Sequence, residues 1–134
     1  YHPCGREIGT VEITRSPESA GDPLFGSLPS TFPVHSTHAQ TVLELPDGAL
    51  RLAGNDFEPN HAFRIGERAW GVQFHPEFDA RIMESYVSIQ EPELRALGRD
   101  VQAIRQGIRE TPAAGAILKG FAAFVFGGRR HRGP

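Results

Sequence analysis

The stretch Ala69-Trp70-Gly71-Val72-Gln73-Phe74-His75-Pro76-Glu77 constrains the fold of this chain more than any other. Side chains alternate along an extended segment, so Val72 and Phe74 fall on one side while Gln73 and His75 fall on the other. Pro76 keeps His75 extended, because its ring disfavours the helical region for the residue before it. Pro76 itself suits the first turn of a helix, where its missing N–H has no partner to lose. Glu77 and Asp79 then occupy that turn, where the helix dipole favours carboxylates. The stretch reads as a buried strand that ends at a histidine and feeds a helix. In open α/β folds the carboxyl edge of the sheet is where the chemistry sits.

The flanking residues extend this α/β pattern. Glu7 to Ile13 alternates apolar and polar residues, as a strand with one wet face does. Asp22-Pro23-Leu24-Phe25 has the form of a capped helical turn, which Pro29 ends. Phe32 to Ser36 reads as a short strand, followed by Leu50 to Ala53, His61 to Ile65 and Ala69 to Phe74. Gly66-Glu67-Arg68 is a turn signal, which makes a hairpin of the last two. Phe78, Ile82, Met83, Tyr86 and Val87 then recur at helical spacing. Leu94, Leu97, Val101, Ile104 and Ile108 continue that spacing in a second helix, which Glu91-Pro92 is expected to separate from the first. Thr111-Pro112 caps and opens a third helix, carrying Ile117, Leu118, Phe121, Phe124 and Val125. These apolar stripes are read as core packing. Gly127 to Pro134 is a short basic end, read as solvated and disordered.

A histidine with a carboxylate in hydrogen-bond reach is how many hydrolases prepare a general base, the acid fixing the tautomer and stabilising the imidazolium. His75 and Glu77 form such a pair, although a lone histidine beside an acid at a strand end is more often a packing feature. Three segments together go further. Gly71-Val72-Gln73-Phe74-His75-Pro76-Glu77, Gly5-Arg6-Glu7-Ile8-Gly9-Thr10-Val11 and His35-Ser36-Thr37-His38-Ala39-Gln40-Thr41-Val42 with Leu45-Pro46 resemble, in the same order, the motifs of class I glutamine amidotransferases. The likeness covers most of residues 5 to 90 and is greatest to stand-alone proteins similar to the amidotransferase part of GMP synthase. Thr37 stands where that family has serine, and Gln40 where it has aspartate.

The resemblance implies a flavodoxin-like α/β sheet with antiparallel additions over residues 1–90, a helical appendage over 91–126 that packs back on the domain or offers a partner surface, and a basic tail at 127–134. It implies that a cysteine, His75 and Glu77 form the catalytic triad, and that Thr37, His38, Ala39 and Gln40 line the glutamine pocket. Gln40 in place of an acid weakens the expected grip on the substrate's ammonium. The substrate would be glutamine, and the ammonia released would pass to a synthase domain or subunit. The glutaminase step needs no metal or organic cofactor. A glycine-rich oxyanion strand and the Gly-x-Cys-x-Gly elbow expected upstream do not occur in these residues, so the chain reads as the carboxyl-terminal portion, lacking the nucleophile half. Two other readings stay open: a catalytically inactive binding module or truncated pseudoenzyme, and a γ-glutamyl hydrolase using the same Cys and His.

Cys4, the one cysteine, does not fill the vacancy: a catalytic thiolate needs a preceding strand and a helix amino terminus or cation, and His2-Pro3-Cys4-Gly5 offers neither. One cysteine excludes an internal disulfide, in keeping with a reducing cytoplasm. His35, His38 and His61 invite comparison with a metal site, but no cysteine or carboxylate cluster accompanies them in sequence, so no metal is expected. A net charge of −2 over 134 residues gives no reason to expect nucleic acid. No apolar run reaches the ~20 residues needed to cross a bilayer.

Overall fold

The computed structural model describes residues 1–129. Five strands form one sheet: β1 (Glu7–Arg15), β2 (Thr31–His38), β3 (Leu50–Gly54), β4 (Ala62–Ile65) and β5 (Ala69–Val72), in the order β2-β1-β3-β4-β5. Three helices follow, α1 (Ala80–Ala96), α2 (Val101–Gln106) and α3 (Pro112–Arg129). The architecture is mixed α/β, and the antiparallel part of the expected sheet is what the described residues build: all four pairings are antiparallel. The strands fall where the alternation placed them, within two residues. β4 and β5 form the expected hairpin across Gly66, which adopts φ +65°. A methyl group on Gly71 would overlap the ring of Phe63, its cross-strand neighbour, so a larger residue here would require that ring to move.

Both faces of the β1–β2 ribbon are covered at the Ile8 end. Ile13, Phe32 and Val34 lie on one face and join Leu52, Ala62 and Phe74 in the main core, closed by Leu24 and Phe25 from the loop and Ala114 and Ile117 of α3. Ile8, one step out of phase with Ile13, lies on the other face under Met83, Val87 and Leu94 of α1 and Val101 of α2. Each fully buried aliphatic side chain contributes about 1.5–3 kcal/mol. The wet face expected for β1 persists at Glu12 and Thr14, whereas its first half, at Ile8, is packed under α1 and α2. Sequence alternation reveals which residues share a side, but not that helices return to cover both.

Two helix boundaries differ from expectation. α1 begins after Asp79, whose side chain accepts from Ile82 N at 2.8 Å, so Pro76 and Glu77 stand in a separate turn before the helix. Phe78 N–H donates to His75 O at 3.2 Å and closes that turn. α1 also runs through Pro92 to Ala96. The helix is carried past the proline because Leu94 extends the buried stripe of Met83 and Val87. Arg105 of α2 adds a clasp along the outside, donating to Glu84 Oε1 at 3.1 Å, Ser88 Oγ at 3.1 Å and Glu91 Oε2 at 2.7 Å. Hydrogen bonds from Arg105 and then Arg95 hold the Glu91 carboxyl down at about 2. The helix ends instead at Gly98, with φ +75°. Gly98 N–H donates to Arg95 O at 3.0 Å and Arg99 N–H to Leu94 O at 2.9 Å, a glycine-terminated cap that L side chains resist. α3 continues through Arg129, three residues into the basic end; residues 130–134 lie outside the described residues.

Asp22 anchors the loop between β1 and β2. Its Oδ1 accepts from Leu24 N and Phe25 N, both at 2.9 Å, the turn the sequence predicts. Its Oδ2 accepts from Arg64 Nη1 at 2.8 Å and Trp70 Nε1 at 3.0 Å, so the same carboxylate grips the β4–β5 hairpin. The side chain is fully buried. Asp22→Ala should destabilise the fold by about 3–5 kcal/mol, because it strands Arg64 and leaves the Leu24, Phe25 and Trp70 donors without an acceptor. Urea denaturation followed by tryptophan fluorescence measures this directly.

Candidate active site

β5 ends at Val72, and the chain continues beside the sheet through single backbone bonds. Gln73 N–H donates to His61 O at 2.8 Å, and His75 N–H donates to His35 O at 2.9 Å. Phe74 is buried in the main core between these two bonds. His75 is thus held against β2 by its own backbone while its ring projects outward, 36 % exposed. Pro76 and Glu77 then turn back, and Glu77 Oε1 accepts from His75 Nδ1–H at 2.7 Å. This bond directs the Nδ1 proton at the acid and turns Nε2 away from Glu77. The ring stacks on Phe78 at 4.2 Å, and Phe78 in turn stacks on Tyr86 of α1 at 4.8 Å. An orienting acid, a fixed tautomer and an aromatic backing make His75 a competent proton acceptor at Nε2.

The second candidate group leaves the same strand. Thr37, His38, Ala39 and Gln40 follow His35, and at about 3.3 Å per residue His38 lies roughly 10 Å further along the chain than the point where His75 docks. Thr37 Oγ1 accepts from Gln90 Nε2 of α1 at 3.0 Å, and Ala39 O accepts from His2 N at 2.7 Å. Gln40 is exposed. The fold therefore brings His75 and Glu77 into contact and puts residues 37–40 on the adjoining strand end, while among the described residues no hydrogen bond joins the two groups.

His38 points to the opposite face from Thr37. Its Nδ1–H donates to Gln40 O at 2.7 Å and its Nε2 lies 3.1 Å from Glu7 Oε1. His61 Nε2 lies 2.7 Å from the same oxygen, Ser36 Oγ–H donates to it at 3.1 Å, and Asn55 Nδ2 donates to Glu7 Oε2 at 2.9 Å. Burial alone would raise the Glu7 carboxyl, but hydrogen bonds from His38 and then His61 reverse this and hold it well below the usual carboxylate range. Burial works against the charged form of His38 too, yet its bond to Glu7 raises it overall. Sequence reasoning does not single out Glu7, which it reads only as the start of strand β1. No local pattern marks it, because its partners come from β2, from the residue before β4 and from the turn after β3. The absence of a carboxylate beside the histidines in sequence is likewise undone by strand pairing: Glu7 sits between His38 and His61, while His35 faces the other side.

Cys4 is exposed in a turn before β1, its amide donating to His2 Nδ1 at 2.9 Å. Among the described residues no helix is long and apolar enough to cross a membrane.

His35 is fully buried beneath the His75 turn, its Nδ1 at 3.1 Å from Thr10 Oγ1 and its Nε2 without a hydrogen-bond partner among the described residues. Burial pushes its pKa below the ordinary value, offset in part by the Glu110 and Asp79 carboxylates. The folded state therefore takes up a proton less readily at His35 than the unfolded chain does. The resulting stability is complete above the unfolded value of 6.5 and is lost as pH falls below it. In denaturant midpoints taken at pH 7.5 and 5.5, His35→Gln should lose less stability on acidification than the parent chain.

Comparison with known proteins identifies the family and the fold. The family model "Glutamine amidotransferase class-I" matches residues 5–90. The chain is 47% identical over 78 residues to a glutamine-hydrolysing GMP synthase of Porphyromonas gingivalis, covering 56% of this chain and 15% of that protein. It is 41% identical over 70 residues to one subunit of the glutamine-hydrolysing GMP synthase of Natronomonas pharaonis, covering 52% of this chain and 38% of that one. Among solved structures, a glutamine amidotransferase from Thermotoga maritima superposes with a TM-score of 0.71 at 26% identity, covering 91% of this chain and 51% of the other. A glutamine amidotransferase from Methylobacillus flagellatus, 19% identical, shares the fold with a TM-score of 0.67 over 92% of this chain and 53% of its own. The chain thus spans about half the length of the solved relatives and less of the GMP synthases.

Proposed function

This chain belongs to the class I glutamine amidotransferase family, and we propose that it supplies the acid–base half of a glutamine-hydrolysing site. The observation that carries the reading is the 2.7 Å hydrogen bond from His75 Nδ1–H to Glu77 Oε1, at the end of the segment most like the family. In this mechanism a cysteine thiol gives its proton to His75 Nε2 and its sulfur attacks the side-chain amide carbon of glutamine. His75 then hands the proton to the amide nitrogen, the C–N bond breaks, and ammonia leaves the thioester. His75 next takes a proton from water, which attacks the thioester and releases glutamate and the thiol. Glu77 orients the ring and stabilises its positive charge in both steps.

Residues 37–40 hold the substrate's amino-acid end in this reading through Thr37, Ala39, Gln40 and the backbone of His38, whose ring is engaged with Glu7 and the Gln40 carbonyl, and Gln40 offers an amide where the family has an acid. The nucleophile comes from outside these 134 residues, since the one thiol of the sequence, Cys4, is exposed in the turn before β1. The ammonia passes to a synthase domain or a synthase partner chain, by analogy with the relatives named as GMP synthase and as one of its subunits.

The 134-residue chain alone is expected to release no ammonia from glutamine above the uncatalysed rate. Hydrolysis by the purified chain that His75→Ala abolishes would overturn the external nucleophile. With a cysteine-bearing segment supplied, His75→Ala should lower kcat by about 10²–10⁴, and Glu77→Gln should lower kcat more than it raises KM. An active complex indifferent to both substitutions rules out the proposed roles.

A further inference from the structure

We propose that Glu7, His38 and His61 form a binding site for a divalent transition-metal ion of the zinc class, separate from the His75–Glu77 pair. One ligand atom from each residue lies within 4.8 Å of the other two. Glu7 Oε1 is 3.1 Å from His38 Nε2 and 2.7 Å from His61 Nε2. Donors held at zinc distances in a tetrahedral site are about 3.3 Å apart, so a small outward movement of two imidazoles admits an ion. Two imidazole nitrogens and one carboxylate oxygen suit zinc or cobalt; calcium and magnesium take oxygen ligands.

The surrounding groups orient two of the three ligands, His38 and Glu7. His38 Nδ1–H donates to Gln40 O at 2.7 Å, the kind of backbone bond that turns the other ring nitrogen toward a metal. Ser36 and Asn55 hold the two oxygens of Glu7. The edges of the cluster are aromatic, with Phe57 6.2 Å from the His38 ring and Phe74 6.0 Å from the His61 ring.

His38 Nδ1–H is committed to Gln40 O at 2.7 Å, so its Nε2 is the nitrogen turned toward Glu7 Oε1, and His61 Nε2 is turned to the same oxygen. His61 Nδ1 is buried without a hydrogen-bond partner among the described residues. The His61 side chain is wholly buried and that of His38 is 11% exposed, which puts the access route and a fourth coordination position on the His38 side. An ion here would join β1, β2 and the segment entering β4, and so fix the end of β2.

The full chain, stripped with chelator, tests this by titration with Zn²⁺, and with Co²⁺ for its visible absorption. The expected result is one ion per chain, a higher melting temperature and the absorption of a low-coordinate Co²⁺ site. Glu7→Gln and His38→Gln should each weaken binding about 100-fold or more, whereas His75→Ala should leave it unchanged. A variant that fails to fold is bypassed by ¹⁵N histidine spectra of the unaltered chain, in which Zn²⁺ should shift Nε2 of His38 and His61. No saturable binding, binding insensitive to His38→Gln, or shifts confined to the other histidines would overturn the site and mark any bound zinc as adventitious.

Discussion

β1 and β2 pair in register from Glu7 opposite His38 to Thr14 opposite Thr31, and the two cores and the seat of His75 depend on that ladder. With it, Ile13 and Phe32 share the main-core face, Ile8 turns toward α1 and α2, and Thr10 meets His35. A slip of one residue would turn each side chain of one strand to the other face. Glu7 would leave His38, Ile13 would leave the core, and the histidine whose carbonyl receives His75 would face the wrong helices. The His75 turn has no sheet of its own beyond Val72, so its position is borrowed from this register through the His35 carbonyl.

Two buried carboxylates reinforce the ladder at opposite ends. Asp22 closes its connecting loop and holds the β4–β5 hairpin through Arg64 and Trp70; Glu7 gathers Ser36, Asn55, His38 and His61. Each compensates the cost of burial with several donors drawn from separate segments, the condition under which a buried charge is tolerable. Both connect the sheet to the stretch that bears His75: Asp22 at the hairpin leading into it, and Glu7 through His61, whose carbonyl receives Gln73. The class I glutamine amidotransferase likeness therefore rests on a scaffold in which polar contacts, as much as apolar packing, determine where the motif stands.

The strands, the β4–β5 turn and the start of α3 were legible because their determinants are local: period-two alternation, Gly66 in the left-handed region and Thr111-Pro112. His75 and Glu77 were legible as a pair because two intervening bonds of a tight turn suffice to join them. Pro92 misled because a proline's local penalty of about 3 kcal/mol is outweighed by Leu94 in the second core and by the Arg105 clasp, neither of which is a neighbour in sequence. Glu7 escaped notice for the same reason. An acid on an alternating strand reads as solvent-facing until its four partners, up to 54 positions away, are folded around it.

By itself, then, the sequence determined the α/β class, the order of the elements, the family and the chemical identity of the His75–Glu77 pair, all of which depend on residue type and short-range spacing. Only the tertiary structure decided that the first half of β1 is buried on both faces, that α1 outlasts Pro92, and that Glu7 lies between His38 and His61 while His35 faces away. Those outcomes depend on which distant segments meet, and the free energy of such meetings resides in shared burial and paired charge that no single stretch of chain contains.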